Sequence, residues 1–526
     1  MRYLRFRQVT DRLLRNWFIS GIGREIDIAV REQVSSWTTP VRKSTTRLEP
    51  RQFEIFGKRL SIDHPSDWNA PHVDKLVLYH LHYMDELNSM QSESERQRYA
   101  ELLDKWIAEN PVLLGNGWEP YPLSRRIVNW IKWANAGNSL TAQQFESLVR
   151  QVRVLMRTLE YHLLANHLFA NVKALFFAGH FCQGAESDQW LNVGRQHIEA
   201  ETAEQILDDG GHFERSPMYH ALILEDILDT INVARTYDMS PPRGTEEKVV
   251  PMLSWLYAMT HPDGGPSYFN DAVPGMGASL GDLASYAARL GFDFEPGSSP
   301  MTVLGDSGYV RFDTDDGLTL IVDVGEIGPD YQPGHAHNDC LSFELSVHGK
   351  RTLVNTGIST YNANQRRAYE RSTAAHNTVS IARANQSETW SAFRVGRRAR
   401  PIDVEIDDGR ISAGHDGWLR FGLKHHRRFE IGNGRLSIKD RLCSDSERLR
   451  CGTAHFHFHP SVRVSQQQDV LHIDDCRLSF RNARSVRLTD FDYCHGFNDT
   501  ETSKKVMVEF RDSLESELVH AHSVRH

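Results

Sequence analysis

The sequence is poor in cysteine, and its cysteines follow no pattern. Six are scattered over 526 residues, and none forms a C-x-x-C pair. Disulfide-stapled secreted domains and cysteine zinc sites both depend on closely spaced cysteines. This spacing argues against a disulfide framework and against a cysteine-based zinc site, and it leaves the compartment open.

The chain also lacks an excess of positive charge. Lysine and arginine number 60 against 69 aspartate and glutamate residues, which gives a formal net charge of -9. Proteins that bind nucleic acid through its phosphates generally carry the opposite balance. The charge argues against a nucleic-acid partner, whereas local basic patches remain compatible with an anionic glycan.

A long apolar run is missing as well. The first residues, MRYLRFR, have the arginines of a signal peptide, but no apolar stretch of the length that an export signal or a membrane span requires follows them. We therefore expect no transmembrane segment, and the pattern favours the cytoplasm over the periplasm. Five apolar residues instead predict a basic amphipathic helix that docks on its own domain: Leu4, Leu13, Leu14, Trp17 and Phe18.

Hydrophobic spacing divides the rest of the chain into a helical half and a strand half. From about Asp67 to about Leu290 the spacing is helical, with breaks at proline, glycine and asparagine. From about Met301 short alternating runs follow, separated by turn residues, as in a sheet sandwich. Because the length exceeds one ordinary core, we predict an N-terminal extension at 1–66, a helical domain at 67–298 and a β domain at 299–526.

The stretch from Tyr331 to Ile381 carries the greatest density of reactive side chains. Leu341 to Val347 alternate apolar and polar residues and predict a strand. His348-Gly349-Lys350 predicts a tight turn, and Thr352 begins a returning strand. The predicted hairpin brings Asn355 back toward the residues that precede the first strand.

Three of those preceding residues share one parity. If the strand extends back to His335, then His335, His337 and Asp339 all emerge on the same face at its mouth. Such a position is suited to holding a metal ion or an anionic sugar.

Two motifs of this stretch resemble those of a known family. His335-Ala336-His337-Asn338-Asp339 and the RSTAAHNTV run that begins at Arg371 are similar to elements in the C-terminal half of the heparinase II/III-like polysaccharide lyases. Segments at 79–88, 115–133, 159–179 and 209–220 resemble helices of such lyases from bacterial surface-polysaccharide clusters. The resemblance implies an α+β multidomain fold, an incomplete (α/α) toroid followed by an antiparallel β-sandwich. It also implies β-elimination on an acidic, uronate-containing bacterial glycan.

The resemblance also implies roles for individual residues of the two motifs. His335 corresponds to a catalytic histidine, and His337 and His376 correspond to zinc ligands whose third partner in the family is an aspartate. Asn355 stands at that aspartate position, and an amide oxygen is a poorer ligand for a divalent ion than a carboxylate. Three outcomes stay open: zinc with Asn355, zinc with Asp339, or a hydrogen-bonded cluster without metal. A bound zinc ion would be structural and would hold His335 in place, and no organic cofactor is expected.

A second candidate site lies in the helical half. Between Tyr161 and Gly179, His162 with Asn166 and His167 with Asn171 fall four residues apart and predict a polar seam on one helix. For a helix seen alone, hydrogen-bonded core amides explain such a seam. The resemblance instead implies that Asn166, with His167, contacts the uronic carboxylate of the substrate.

Further residues complete the predicted site. The resemblance implies that Tyr219, in the segment after the Gly210-Gly211 break, is catalytic. Arginines would offset the carboxylate charge and indole rings would stack on sugars. The predicted substrate-binding residues are Arg125, Arg126, Trp130, His212, Glu214, Tyr361 and Arg371.

The chemistry of β-elimination explains why these residue types are needed. The C5 proton of a uronide lies alpha to a carboxylate and is too weakly acidic to remove until hydrogen bonds offset that carboxylate's charge. In the role that the resemblance implies, Asn166, with His167 or an arginine such as Arg125 or Arg126, would supply such bonds as charge develops. A base then takes the proton and an acid protonates the leaving oxygen, and Tyr219 and His335 are the predicted pair.

Two other functions stay open at the level of sequence. A glycoside hydrolase would need two carboxylates across the scissile bond, and the helical half offers Asp208, Asp209, Glu214, Glu225 and Asp226. A non-catalytic glycan-binding protein of polysaccharide assembly would keep the lyase fold without turnover, and Asn355 is the best argument for it.

Overall fold

The computed structural model describes residues 5, 8, 10, 22–23, 25–44, 46–49, 51–89, 93–444 and 450–520. The residues of the predicted amphipathic helix, Leu4, Leu13, Leu14, Trp17 and Phe18, lie outside the described residues. The chain forms two compact units. Unit 1 comprises Met1–Ile206, Ile223–Val250 and Asp282–Phe294, and unit 2 comprises Leu207–Leu222, Pro251–Gly281 and Glu295–His526. In the described part of the chain, no helix combines the length and apolarity that a membrane crossing needs.

The two units differ from the predicted domains of 1–66, 67–298 and 299–526. The last entry into unit 2, at Glu295, falls close to the predicted boundary, but Leu207–Leu222 and Pro251–Gly281 also belong to unit 2. Contacts between segments far apart in sequence decide this division, and local periodicity does not reveal them. As a result Tyr219 belongs to the same unit as His335.

Local sequence signals explain several helix ends. Thr141 accepts the backbone N–H of Gln144 and caps one helix, and Pro120 occupies the first turn of another. The described residues contain ten α-helices: α1 (Lys75–Tyr83), α2 (Glu93–Glu109), α3 (Pro120–Asn135), α4 (Ala142–Leu155), α5 (Ala165–Phe181), α6 (Ala185–Gln205), α7 (Pro217–Thr236), α8 (Thr245–Ala258), α9 (Leu280–Arg289) and α10 (Gln365–Glu370). Short 3-10 turns lie at Pro65–Asn69, Asp85–Asn88, Asn116–Trp118, Thr373–Ala375 and Leu419–Phe421.

Helices α5 and α6 form the closest helix pair of unit 1. A Cβ atom at Gly179 would lie 2.6 Å from Leu191, and one at Gly194 would lie 2.7 Å from Phe176. Glycine at these two positions therefore allows the helices to approach to a distance that a larger residue would prevent. The close pair buries α5 along nearly its whole length.

The start of α5 differs from the prediction. The chain between Leu155 and Ala165 is not helical, and Leu164 and Ala165 have φ angles of 62° and 49°. Positive φ angles at two consecutive residues interrupt a right-handed helix. His162 therefore lies outside α5, and the predicted seam between His162 and Asn166 on one helix is wrong.

Among the described residues, unit 2 contains seventeen strands and unit 1 contains two small sheets. In chain order they are β1 (Ala29–Val30), β2 (Arg47–Glu49), β3 (Gln52–Ile55), β4 (Lys58–Ser61), β5 (Cys182–Gln183), β6 (Met301–Leu304), β7 (Tyr309–Asp313), β8 (Leu318–Asp323), β9 (Phe343–Val347), β10 (Lys350–Leu353), β11 (Val379–Ser380), β12 (Thr389–Trp390), β13 (Arg394–Val395), β14 (Pro401–Asp407), β15 (Arg410–His415), β16 (Lys424–Gly432), β17 (Arg435–Cys443), β18 (Cys451–His457), β19 (Val464–Gln467), β20 (Val470–Ile473), β21 (Cys476–Gly496) and β22 (Asp499–His520).

Unit 2 is a sandwich of two antiparallel sheets. One sheet has the order β10-β9-β8-β7-β6. The other runs β14-β15-β16-β17-β22-β21-β20-β19, with β18 pairing with β22 and β11. A single buried core contains Leu320 and Phe343 of the first sheet together with Phe429, Phe456 and Val508 of the second. The inward-facing residues of both sheets therefore share one core, as expected for a sandwich.

The predicted hairpin is confirmed, but its first strand is shorter than expected. β9 and β10 pair through Lys350 and Val347, whereas Leu341, with a φ of 62°, ends any extension of β9 toward His335. The shared parity of His335, His337 and Asp339 is therefore not what brings these residues together. They lie on an irregular loop whose backbone is held by other segments.

The polar face of β9 is buried as well as its apolar face. His261 explains this, because its two ring nitrogens lie 2.8 Å from Ser346 Oγ and 2.8 Å from Glu344 Oε2. Glu344 also accepts the backbone N–H groups of Tyr268 and Asn355. Each buried polar group thus has a partner, which removes most of the cost of burying it.

Candidate active site

A buried carboxylate, Asp271, joins two of the predicted histidines. His335 Nδ1 donates to Asp271 Oδ2 at 2.8 Å, and His337 Nε2 donates to Asp271 Oδ1 at 2.8 Å. Arg367 donates one hydrogen bond to each oxygen of the same carboxylate. Burial raises the pKa of Asp271, but Arg367 and the two histidine hydrogen bonds lower it well below its ordinary value. Asp271 is therefore ionised and acts only as an acceptor.

Tyr219 lies flat against His335. Their ring centroids are 3.8 Å apart with an interplanar angle of 27°. The start of α7 fixes this position, because Ser216 precedes Pro217 and its Oγ accepts the Tyr219 backbone N–H. The two residues that the sequence paired as acid and base are thus in direct contact.

The Tyr219 hydroxyl lies 3.0 Å from the hydroxyl of Tyr361. Burial, and then the nearby charge of Asp271, raise the pKa of Tyr361 well above its ordinary value. Tyr361 therefore keeps its proton at neutral pH. The guanidinium of Arg367 lies 5.1 Å from the centroid of the Tyr361 ring, and this cation–π contact holds the ring in place.

Two residues of the segment before α7 surround His335. Glu214 Oε2 lies 3.6 Å from His335 Nε2, and both residues are almost fully buried. His212 is completely buried, and burial lowers its pKa well below the ordinary value, so that its imidazole is neutral at pH 7. This placement argues against a direct substrate contact for His212, while Glu214 lies next to a catalytic candidate.

His337 and His376 face each other with His337 Nδ1 3.0 Å from His376 Nε2. The opposite nitrogens of both rings are held by groups that only accept: Asp271 for His337 and the carbonyl of Ser372 for His376. The two facing nitrogens therefore hold between them either one proton or a cation. Two imidazole nitrogens bound to one zinc ion at about 2.0 Å are separated by roughly 3.3 Å in a tetrahedral site, so the spacing suits zinc.

Asp339 completes this group. Its carboxylate and the two histidine nitrogens lie within 4.8 Å of one another. A cavity of about 10 Å³ beside them is lined by His337, Asp339 and Asp323, and a space of that size holds one water molecule or ion. Two neutral imidazoles with a carboxylate form a common zinc donor set, so the residues present fit a divalent metal.

Asn355 is not part of this group, which corrects the ligand assignment carried over from the family. Its Oδ1 accepts the backbone N–H of Asn377 at 3.0 Å, and its Nδ2 donates to the carbonyl of Tyr268 at 3.1 Å. The amide therefore ties together two segments of backbone. Asp339, the alternative carboxylate, has an oxygen within 4.8 Å of a nitrogen of each histidine and is the candidate third ligand instead.

Asn166 and His167 open helix α5 in unit 1. Asn166 is buried, and among the described residues no group donates a hydrogen bond to its Oδ1. His167 is partly exposed, lies 3.2 Å from Glu160 Oε2 and packs against the ring of Tyr121 at 4.6 Å. A buried amide oxygen without a donor is unusual, which marks Asn166 as a candidate ligand contact.

Three of the predicted substrate-binding residues lie on α3, and they differ in exposure. Arg126 and Trp130 lie in the core, whereas Arg125 is partly exposed. Arg126 is completely buried and donates to Gln151, to His82 and to Gly117. Trp130 is equally buried among aromatic residues of the helical core. Both geometries argue against the predicted substrate contacts. Arg125 keeps partial exposure and lies 3.4 Å from Asp226.

Arg371 holds the loop that carries the H-A-H motif. It is buried, and its guanidinium donates to the carbonyls of Ala336 and Ala392. These hydrogen bonds fix the backbone between His335 and His337. The predicted substrate contact is therefore replaced by a structural role.

Three residues near His335 were absent from the sequence-based site. Asp271 and Arg367 belong to no motif, and only the fold shows that they meet. Phe393 follows the short strand β12, is 40% exposed, and lies 5.8 Å from the His335 ring and 5.2 Å from the Tyr361 ring. Aromatic residues in the otherwise polar run SETWSAFR were the one signal for it, and Trp390 in the same run is 55% exposed.

Known proteins share this fold. The Heparinase II/III N-terminus model matches residues 77–288, and the Heparinase II/III-like C-terminal model matches residues 296–521. In the solved structure of Heparinase III, 79% of that chain superimposes on 89% of this one, with a TM-score of 0.68 and 16% identity. These matches confirm the predicted fold class of a helical toroid followed by a β-sandwich. The chain belongs to the heparinase II/III-like family.

Two curated relatives differ in their names. The heparin-sulfate lyase of Pedobacter heparinus is 23% identical over 443 residues, which cover 74% of this chain and 67% of that protein. The FtsZ-localized protein C of Caulobacter vibrioides is 23% identical over 449 residues, which cover 78% of this chain and 74% of that protein.

Proposed function

We propose that this protein cleaves an acidic, uronate-containing polysaccharide by β-elimination, with Tyr219 and His335 as the proton-transfer pair. Family membership and the lyase relatives make the protein a polysaccharide lyase. The stacking of Tyr219 on His335 at 3.8 Å is the observation that carries the proposed mechanism.

Hydrogen bonds support a particular protonation form for each partner. Because His335 Nδ1 donates to Asp271, its Nε2 carries the lone pair and is able to take or return a proton. Because Tyr361 keeps its proton, it is able to donate to Tyr219 and to stabilise a Tyr219 phenolate. One member of the Tyr219–His335 pair takes the C5 proton, the C4–O bond breaks, and a protonated member supplies the proton to the leaving oxygen.

The carboxylate of the uronide needs donors that strengthen as negative charge develops. We propose Asn166, with His167, for this role. The support is the resemblance of the α5 segment to the family and the buried amide oxygen of Asn166 that no described residue donates to.

We also propose that a structural zinc ion is held by His337, Asp339 and His376. The facing nitrogens at 3.0 Å, the nearby carboxylate and the small cavity support this donor set. A bound divalent ion would cross-link the loop that carries His335 to the segment that carries His376. The residues of the chain do the proton transfer.

A lyase assay tests the proposal directly. The purified protein is incubated with a panel of uronic-acid polysaccharides, including surface glycans of bacteria, and the ultraviolet absorbance of the new double bond is followed. An increase that depends on Tyr219 supports β-elimination. Reducing ends without that absorbance would identify a hydrolase.

Three of the five carboxylates considered for a hydrolase are engaged by other groups. In unit 1, Glu225 pairs with Lys43 and Asp226 with Lys173. In unit 2, Asp209 accepts from Ser307. Such pairs leave these groups without the protonated acid that hydrolysis requires, so the geometry favours the lyase.

A glycan-binding protein without turnover is the second candidate, and one relative favours it. FtsZ-localized protein C matches 78% of this chain and its name describes a location, with no reaction. Saturable binding of a uronate glycan, with no absorbance change and no new ends, would support this candidate over the lyase.

A further inference from the structure

We propose that Asp271 is a positioning residue that sets the ring tautomers of His335 and His337 together, and so links the metal-ligand group to the proton-transfer pair. For its effect on turnover, the inference rests on the proposed lyase function. Its structural part stands on the hydrogen bonds of the described residues alone.

The Asp271 carboxylate accepts four hydrogen bonds, two at each oxygen. Oδ1 receives His337 Nε2 and one Arg367 nitrogen, and Oδ2 receives His335 Nδ1 and the other Arg367 nitrogen at 2.8 Å. All four nitrogens must donate, because a carboxylate that binds the Arg367 guanidinium through both oxygens is ionised and has no proton to offer. A neutral imidazole has one N–H, so the position of that proton is decided in both rings.

The second ring nitrogen of each histidine faces a different group. His335 presents Nε2 toward Glu214, at 3.6 Å, on the side where proton transfer is proposed. His337 presents Nδ1 toward His376, at 3.0 Å, as a ligand atom. If either proton moved to the other nitrogen, His335 would lose its basic Nε2 and His337 would lose its ligand atom.

Asp271 is also connected to Tyr219, through its backbone and Ser216. The backbone carbonyl of Asp271 accepts the hydroxyl of Ser216, and Ser216 Oγ accepts the backbone N–H of Tyr219. The Asp271 backbone N–H also donates to the carbonyl of His335 at 3.0 Å. Asp271 is thus bonded directly to His335 through both its backbone and its side chain, and is connected to Tyr219 through Ser216.

The decisive measurement is the tautomer of each ring, read by nitrogen-15 NMR of protein labelled at histidine. In the wild type we expect a proton on Nδ1 of His335 and on Nε2 of His337. His335→Gln and His337→Gln assign the two signals. The opposite tautomer at both rings of the wild-type protein would overturn the proposal, whether or not a substrate is known.

The variant Asp271→Asn keeps the shape and removes one oxygen acceptor. We expect a changed tautomer at one or both rings, loss of zinc affinity by a factor of about 10 to 100, and a fall in kcat on the order of a hundredfold with KM changed less than about threefold. Unchanged tautomers and unchanged zinc retention in this variant would overturn the proposal.

Asp440→Asn is the matched control. Asp440 is also buried, accepts His425 Nε2 at 2.7 Å and binds Arg427 through both oxygens, and these hydrogen bonds do not involve His335 or His337. It should leave both tautomers and the zinc content unchanged. If no glycan is cleaved by the wild type, the proposed function fails, while the NMR and zinc measurements still decide the role of Asp271.

Discussion

Tyr219 stacks on His335 with ring centroids 3.8 Å apart, although the two residues are more than a hundred positions apart in the chain. Tyr219→Phe removes the hydroxyl and keeps the stacking, and His335→Ala removes the imidazole. Each change should lower kcat by a factor on the order of a hundred or more, because each deletes a proton-transfer group.

Steady-state kinetics on a cleaved glycan check this expectation, with Tyr493→Phe as a control. Tyr493 is a buried tyrosine stacked on Tyr268 at 5.5 Å, and loss of its hydroxyl should leave kcat within about threefold of the wild type. Near wild-type rates for both Tyr219→Phe and His335→Ala would exclude the proposed pair.

Asn166→Ala should act mainly on kcat. The carboxylate of the substrate gains charge density only as the C5 proton leaves, so a donor to it stabilises the transition state more than the ground state. The ratio of the changes in kcat and KM measures this. A defect confined to KM would assign Asn166 to general binding, and an unchanged variant would make it a core residue.

Zinc retention separates Asp339 from Asn355. Asp339→Asn should lower the zinc content after dialysis to less than about a tenth of an equivalent, because the site loses its one carboxylate ligand. Asn355→Asp should bring no gain, since the Asn355 amide donates to Tyr268 and lies outside the ligand group. Elemental analysis after zinc supplementation measures both, and a gain for Asn355→Asp would restore the family's ligand assignment.

Phe393→Ala should weaken substrate binding with a smaller effect on turnover. The Phe393 ring is 40% exposed next to His335, in a position suited to stacking on a sugar ring. We expect KM to rise by a factor of about 5 to 10 with kcat changed less than about threefold. An unchanged KM together with an unchanged melting temperature would exclude Phe393 from the substrate site.

The stability of the protein should fall in acid, and His82 is one cause. Burial, and then the charge of Arg126, lower the pKa of His82 from 6.5 to about 3. Between these values the unfolded chain binds a proton that the folded chain does not, so the free energy of unfolding decreases as the pH falls. One such residue contributes roughly 1 kcal/mol per pH unit across that window.

The physical reason is that His82 Nδ1 accepts the indole N–H of Trp106 at 3.0 Å, while Nε2 donates to the carbonyl of Trp68. A protonated ring has no acceptor for Trp106. Chemical unfolding of wild type and His82→Gln between neutral and acidic pH measures the slope. An equal slope in both proteins would contradict this assignment.

The family, the fold class and the central members of the site follow from the sequence. The H-A-H and A-A-H-N motifs, the helical spacing before residue 290 and the alternating runs after residue 301 are local patterns. Each lies within a short stretch of chain, and so the resemblance to the family predicted Tyr219, His335, His337 and His376 as site residues without a structure. The hairpin of β9 and β10 was predicted for the same reason.

The partners of these residues depend on the tertiary structure. Asp271 meets His335 across 64 residues, and Arg367 meets Asp271 across 96, and no local pattern marks either contact. The burial of Arg126 and Arg371, and the use of the Asn355 amide in backbone bonding, were equally invisible. A motif determines which side chains are present, but hydrogen bonding and burial in the folded chain decide which atoms of those side chains remain available for a proton, a metal ion or a sugar.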